Sequence, residues 1–291
     1  MPVGGQSTRA ADSKHGVSPE EMQERKQRVL TQGTPAIVRS IADAVVIKDE
    51  NIFFLTEPDG SIPIGDDHGF GLYYHDCRFL NGYELHLAGT KPQPLVSTAE
   101  RGFLAVFQLT NPDLRMADGQ LIRKEQVGVK WERVIDAAKR ALHEVLTFQN
   151  FGRQRIEFPI AFAFQAAFED VYAVRELLPE QFGTLRQPSW HDGALTFLYE
   201  GRDNLDRRLT IAFSPQVQAT DGTTAHMSIT LEPRESRQVL VSMTLDESPH
   251  EVEVPPAPRH PPDSDYVEGI MRRSAAQWVG EHTGFARTAS Y

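Results

Sequence analysis

Apolar residues recur at every second position along most of this chain, from Ser40 to about Leu245. The stretch "RIEFPIAFAFQAAF" carries the pattern furthest. Ile156, Phe158, Ile160, Phe162, Phe164 and Phe168 share one parity, while Arg155, Glu157, Gln165 and Glu169 share the other. Successive side chains of a strand point to opposite faces, so such a segment has one apolar and one wet face. The same alternation returns at Tyr83, Leu85 and Leu87; at Val127, Val129 and Trp131; at Leu195, Phe197 and Tyr199; at Leu209, Ile211 and Phe213; at Met227, Ile229 and Leu231; and from Val239 to Leu245. Between these runs stand Asp59-Gly60, Asn81-Gly82, Asp118-Gly119, Asp192-Gly193 and Asp221-Gly222, dipeptides that tolerate the positive φ of tight turns. Roughly a dozen strands with no helical period between them predict an all-β fold, a large antiparallel β-sandwich. Only residues 172–191 break the rhythm, and they are expected to form an irregular loop or β-ribbon.

The ends follow other rules. Residues 1–39 form a polar segment with one short helix, about Pro19 to Leu30, announced by Ser18, Pro19 and Glu21 in a capping-box arrangement. The sandwich is expected over 40–246 and a proline-rich linker over 247–263. A C-terminal helix over 264–291 places Val267, Ile270, Met271, Ser274 and Trp278 on one face. Ile270, Met271 and Trp278 are therefore the candidate interface to a partner domain or a second copy of the chain.

With 40 acidic against 30 basic residues the net charge is −10, and no Lys/Arg-rich run appears. Nucleic acid and anionic membrane surfaces are unsuitable partners for such a chain. Cys77 is the only cysteine, which excludes an internal disulfide and any multi-cysteine zinc site. No apolar segment reaches the length of a membrane span, and "MPVGGQSTRAADSKHG" lacks the apolar core of a secretory signal. A soluble cytoplasmic protein is the expectation.

The densest chemistry lies in "HGFGLYYHDCRFLNGYELHL", where His75, Asp76, Cys77 and Arg78 are adjacent. If this stretch is a strand, His75 and Cys77 share a face about 7 Å apart, too far for a thiol–imidazole pair, while Asp76 and Arg78 share the other face and can pair. The plain reading is an Asp76–Arg78 brace with Cys77 as a small core residue. The functional reading is a ligand surface that includes Tyr74, Asp76 and Arg78, with Trp190 added from the irregular segment. Trp131, on the apolar parity, is expected in the core. Asp66 and Asp67 in "PIGDDHGFG" could serve, with Asp76, as the carboxylates of an all-β carbohydrate-active enzyme, but sequence neighbours rarely span a glycosidase cleft. No His-x-His or His-Glu-x-x-His pattern calls for a metal, and no cofactor motif is present.

Several segments together resemble the N-terminal domain of bacterial glycogen-debranching-type (amylo-α-1,6-glucosidase-like) proteins. "DENIFFLTEPDGSI", "HGFGLYYHDCRFLNGYELHLAG" and "KPQPLVS" carry the likeness, with Gly71, Leu72, Tyr73, Tyr74, Asp76, Arg78, Phe79 and Leu80 at matching positions. Cys77 stands where threonine is usual and His75 where arginine is common. Downstream, Glu132, Arg133, Leu142, Glu144 and Asn150 match a second stretch, and Phe168, Asp170, Val171, Val174 and Arg175 a third. The resemblance implies a β-supersandwich preceding an (α/α)6 catalytic barrel that holds the catalytic carboxylates. It implies a non-catalytic domain that packs on the barrel and touches α-glucan or another oligosaccharide. A stand-alone carbohydrate-binding or protein-interaction module is the competing expectation.

Overall fold

The computed structural model describes residues 43–65, 68–99, 102–174, 183–250 and 260–273, apart from the side chains of residues 172 and 173. The expected N-terminal helix, Asp66, Asp67 and Trp278 lie outside the described residues.

Among the described residues, twenty strands follow one another: β1 (Val45–Asp49), β2 (Ile52–Thr56), β3 (Gly71–Tyr74), β4 (Cys77–Leu80), β5 (Gly82–Leu87), β6 (Gln93–Thr98), β7 (Leu104–Thr110), β8 (Leu114–Arg115), β9 (Leu121–Ile122) and β10 (Val127–Asp136), then β11 (Ala141–Asn150), β12 (Ile156–Gln165), β13 (Glu169–Asp170), β14 (Gly183–Leu185), β15 (Ser189–His191), β16 (Ala194–Gly201), β17 (Leu205–Ser214), β18 (Ala219–Asp221), β19 (Thr224–Leu231) and β20 (Ser236–Pro249). A single turn of helix, α1, covers Val171–Val174, and a second helix, α2, covers 264–273. Every strand pairing is antiparallel. A nine-stranded sheet runs β14-β16-β17-β20-β11-β10-β7-β6 with β15 beside β16; a four-stranded sheet runs β18-β19-β12-β5; and a five-stranded sheet runs β1-β2-β3-β4-β13. The irregular segment supplies α1 and the ribbon strands β14 and β15.

The alternating parities meet between the sheets. Phe158 of the four-stranded sheet faces Phe148 of the large sheet with ring centroids 6.4 Å apart, and Phe162 faces Phe213 at 5.7 Å. One continuous core joins these to Ile47, Phe54, Leu72 and Phe79 of the five-stranded sheet. This is the large antiparallel β-sandwich that period-two patterning requires. Trp131 is buried in it as expected.

Four of the five expected turn glycines have positive φ; Gly82 does not. It opens β5, where an added Cβ would lie 2.6 Å from Ile64 Cδ1 and 2.7 Å from Gln165 Cβ. The residue is small because strands crowd it, not because the chain turns there. The expected linker also begins later than residue 247, since β20 continues to Pro249, held by the ladder that ends at Leu205↔Pro249.

Two polar arrangements brace the sandwich. Inside the core, Arg133 and Glu144 are direct cross-strand neighbours on β10 and β11, and both are fully buried. Arg133 Nε lies 2.6 Å from Glu144 Oε1, as a close ion pair rather than an aligned hydrogen bond. The guanidinium sits over the rings of Trp131 (3.9 Å), Phe107 (4.9 Å), Phe54 (5.0 Å) and Tyr83 (5.5 Å), whose π faces take the place of further acceptors. Tyr83 Oη (2.5 Å) and Trp131 Nε1 (3.1 Å) donate to Glu144 Oε2. Burial pushes the Glu144 carboxyl up, against the opposing pull of Arg133.

On the outer face of the large sheet, Val134, Val145 and Leu240 receive Val267 and Ile270 of α2, with Met271 and Tyr266 packed alongside. Asp263 accepts a bond from the backbone N–H of Tyr266 (2.8 Å), the geometry of an N-cap. Ile270 and Met271 thus spend their apolar surface on the chain's own sheet, because outward Val134, Val145 and Leu240 would otherwise be exposed.

Candidate functional site

The β3–β4 hairpin turns at His75-Asp76. Tyr74 pairs with Cys77, and His75 has φ 50°, a left-handed conformation that bends the chain back. Strand alternation therefore stops at Tyr74, and the expected Asp76–Arg78 brace does not form. Arg78 is buried and turns inward to Glu169 of β13, its cross-strand neighbour: Arg78 Nε donates to Glu169 Oε2 at 2.7 Å, and Nη2 donates to the same oxygen. Arg78 Nη1 donates to the carbonyls of His68 (2.5 Å) and Phe70 (3.3 Å). Gly71 makes room for this side chain, since a Cβ there would lie 2.7 Å from Arg78 Cδ. The turn is tied down by its neighbours: His75 N donates to Asn51 O (3.1 Å) and Val171 N to Asp76 O (2.8 Å).

A cleft of about 550 Å³ opens beside this turn. One wall is His75, Asp76 and Cys77 with Phe168 and Asp170; the other comes from β16, β17 and β20, through Tyr199, Gly201, Arg202, Asp203, Arg207 and Glu247. Phe168, held at φ 52°, lies parallel to Tyr199 with centroids 5.5 Å apart and forms the floor. A chain of charged groups spans the wall. His75 Nδ1 meets Glu247 Oε1 (3.1 Å), Arg207 Nε donates to Glu247 Oε2 (2.8 Å), and Arg207 Nη2 donates to Asp203 Oδ2 (2.6 Å). Burial works against the Asp203 carboxylate, but Arg207 outweighs it and holds the group below the usual carboxylate range. Cys77 borders the cleft as a poor nucleophile, because burial pushes its thiol up to about 12.

Of the four ligand residues expected from sequence, only Asp76 lines this cleft. Tyr74 stacks on His75 at 4.1 Å. Arg78 is enclosed. Trp190 sits on Phe213 and donates Nε1–H to Gly222 O (2.8 Å), in another part of the fold. The other wall of the cleft was missed. Its one sequence signal is "GRDNLDRRL", a dense charge cluster at a strand turn.

A second group looks catalytic by type. Ser242 Oγ meets His143 Nδ1 at 2.8 Å, and His143 Nε2 lies 3.8 Å from Asp136 Oδ2. A serine nucleophile must face a substrate. Ser242 and His143 are buried, and neither borders the cleft beside the His75-Asp76 turn. Tyr266 of α2 donates to Asp136 Oδ2 at 2.8 Å, so the group serves as a latch for the helix. Among the described residues, no cluster of three or more His, Cys, Asp or Glu side chains could hold a metal ion.

The chain is thus a large antiparallel β-sandwich with a buried polar framework and a side cleft, and comparison with known proteins gives its family. The profile of the N-terminal domain of (some) glycogen debranching enzymes matches residues 47–242, and the chain belongs to that family. No curated protein matches the sequence. Among solved structures, a putative kojibiose phosphorylase from human microbiome is similar with a TM-score of 0.51 at 8% identity, covering 84% of this chain and 35% of that one. This chain therefore spans about a third of the phosphorylase's length. A galactose mutarotase-like protein from Clostridium acetobutylicum is similar at TM-score 0.37 and 8% identity (70% and 95% covered). A GH36 α-galactosidase from Geobacillus stearothermophilus is similar at 0.27 and 11% (67% and 32% covered).

Proposed function

We propose that this chain is the non-catalytic N-terminal β-sandwich of a glycogen-debranching-type glycoside hydrolase. It packs on an (α/α)6 catalytic domain encoded beyond it, shapes that domain's substrate cleft and contacts α-glucan. The family match over residues 47–242 carries the reading. The proposed division of labour is a sandwich from residue 40 to the end of β20 at Pro249, a linker from there to residue 263 and a terminal segment over 264–291 that leads to the catalytic domain. With Ile270 already seated on the sandwich, Trp278 is left as the contact to that domain. We place the protein in the cytoplasm, where a single buried cysteine faces no oxidative pairing.

The test is twofold. An antibody raised against residues 40–245 should detect, in the source cells, a protein far larger than 32.7 kDa. The purified chain should release no glucose from branched limit dextrin. A native band at 32.7 kDa would favour a module acting on a separate partner. Glucose release that Asp76→Asn abolishes would overturn the non-catalytic reading.

A further inference from the structure

We infer that the cleft between the His75-Asp76 turn and Arg207 is a binding site for a neutral saccharide, a stretch of linear oligoglucoside being the test case. The inference rests on the domain reading above and names the place where that domain would hold sugar.

Three observations carry it. The first is the unused hydrogen-bonding capacity at the rim. The carboxylate of Asp76 and the guanidinium of Arg202 border the cleft, are exposed, and make no hydrogen bond or ion pair among the described residues. One accepts and the other donates, which suits vicinal hydroxyls, since each hydroxyl does both. The second is the sign of the charge. Asp203 and Glu247 flank Arg207, and Asp76 and Asp170 add two further carboxylates against the one guanidinium of Arg202, so the lining repels an anion, whereas a polar, uncharged ligand meets no such penalty. The third is rigidity. His75, Glu247, Arg207 and Asp203 form one connected chain behind the rim, and the cleft is flanked by two left-handed non-glycine residues, His75 and Phe168. Such backbone strain, about 1–3 kcal/mol per residue, gathers where a surface must be held in shape for a ligand. The volume of about 550 Å³ falls within the ~300–1,000 Å³ of small-molecule sites.

Titration calorimetry of the chain with maltoheptaose tests the proposal. Binding should be insensitive to added salt, because the ligand is uncharged. The pair of substitutions Asp76→Ala and Arg202→Ala removes no side-chain hydrogen bond or ion pair among the described residues, so the chain should fold normally while the affinity falls about tenfold or more, the loss of at least one charged hydrogen bond. Arg155→Ala, at a separate cleft of about 690 Å³ bordered by Arg115, Glu157 and Ser228, should leave affinity unchanged. Equal binding by wild type and the Asp76/Arg202 pair would overturn the site while leaving the domain's contact with glucan intact. Absence of binding by the folded wild-type chain to maltoheptaose would overturn the site as well. Strongly salt-dependent binding of oligolysine in its place would mean that the cleft takes a basic side chain of a partner, which also overturns the saccharide proposal. None of these outcomes alters the size of the native protein, so the domain reading stands or falls separately.

Discussion

Arg133 and Arg207 are each held by carboxylate, and they do opposite things. Arg133 is fully enclosed between the sheets, shares one glutamate with Tyr83 and Trp131, and rests on four aromatic rings. Arg207 stands at the sheet margin between Asp203 and Glu247, with 13% of its side chain exposed and with Asp203 at 48%. An enclosed ion pair meets no ligand and contributes by fixing which strands are neighbours. A half-open one costs little to desolvate further and is pre-arranged for a third polar partner. Access, more than residue type, separates framework from site in this fold.

The largest expected effect lies on the enclosed side. Glu144→Ala leaves the Arg133 charge buried without its partner and should cost about 3–5 kcal/mol in urea unfolding, enough to unfold a marginal domain. The double variant Glu144→Leu with Arg133→Met should recover much of the loss, because apolar replacements of similar volume are tolerated where a lone charge is not. A cost for Glu144→Ala below about 1 kcal/mol would break the contrast, since the interior would then be wet. Arg78→Met comes next, at about 2–3 kcal/mol. It strands the carbonyls of His68 and Phe70, but Glu169 is 21% exposed and can rehydrate.

On the open side the stability effect should shrink and the binding effect grow. Arg207→Ala is expected to cost about 1 kcal/mol or less in unfolding, the range of partly solvated pairs. It should also loosen His75 and Glu247, read as broader histidine resonances in NMR spectra. A stability loss matching that of Glu144→Ala would mean the cleft is simply more framework.

Much of this was legible in the sequence. Period-two patterning fixes the strands because burial on one face is an alternating constraint, and Trp131 and the Val239–Leu245 run fall where parity puts them. The framework was legible through resemblance: Arg78, Arg133, Glu144 and Asn150 all prove to be buried polar groups. Asn150 Nδ2 donates to the carbonyls of Gln154 (2.8 Å), Leu231 (3.2 Å) and Glu232 (3.2 Å), tying the β11–β12 loop to the end of β19. The cleft was not legible. It joins residues 75–77 to residues 199–207 and 247, and no local pattern announces contacts over such separations. The Asp76–Arg78 pairing failed for a related reason. Parity arguments hold only within a strand, and a left-handed His75 in place of glycine gave no warning of the turn.

The smallest effects should appear at the latch under α2, where framework and surface meet. His143 beside it, then the Tyr266 hydroxyl, hold the Asp136 carboxyl below its ordinary value of 3.8, although burial opposes them. A carboxylate held down in the folded state contributes stability that is fully present above that ordinary value and is lost as pH falls through the lower, folded value. Tyr266→Phe removes one of the groups responsible, leaving His143 and the Lys139 backbone N–H, and should cost about 0.5 kcal/mol near neutrality. The difference from wild type should narrow below pH 3.8, as Asp136 takes up a proton in both. Asp49 nearby behaves oppositely, being raised chiefly by burial, so its contribution must be removed by comparing variants rather than by reading one curve. Hydrogen exchange over residues 264–273 makes the comparison directly. Faster exchange in Tyr266→Phe confined to those residues would show that the latch holds the helix alone, whereas faster exchange spreading into β11 and β20 would make it part of the same framework as Arg133.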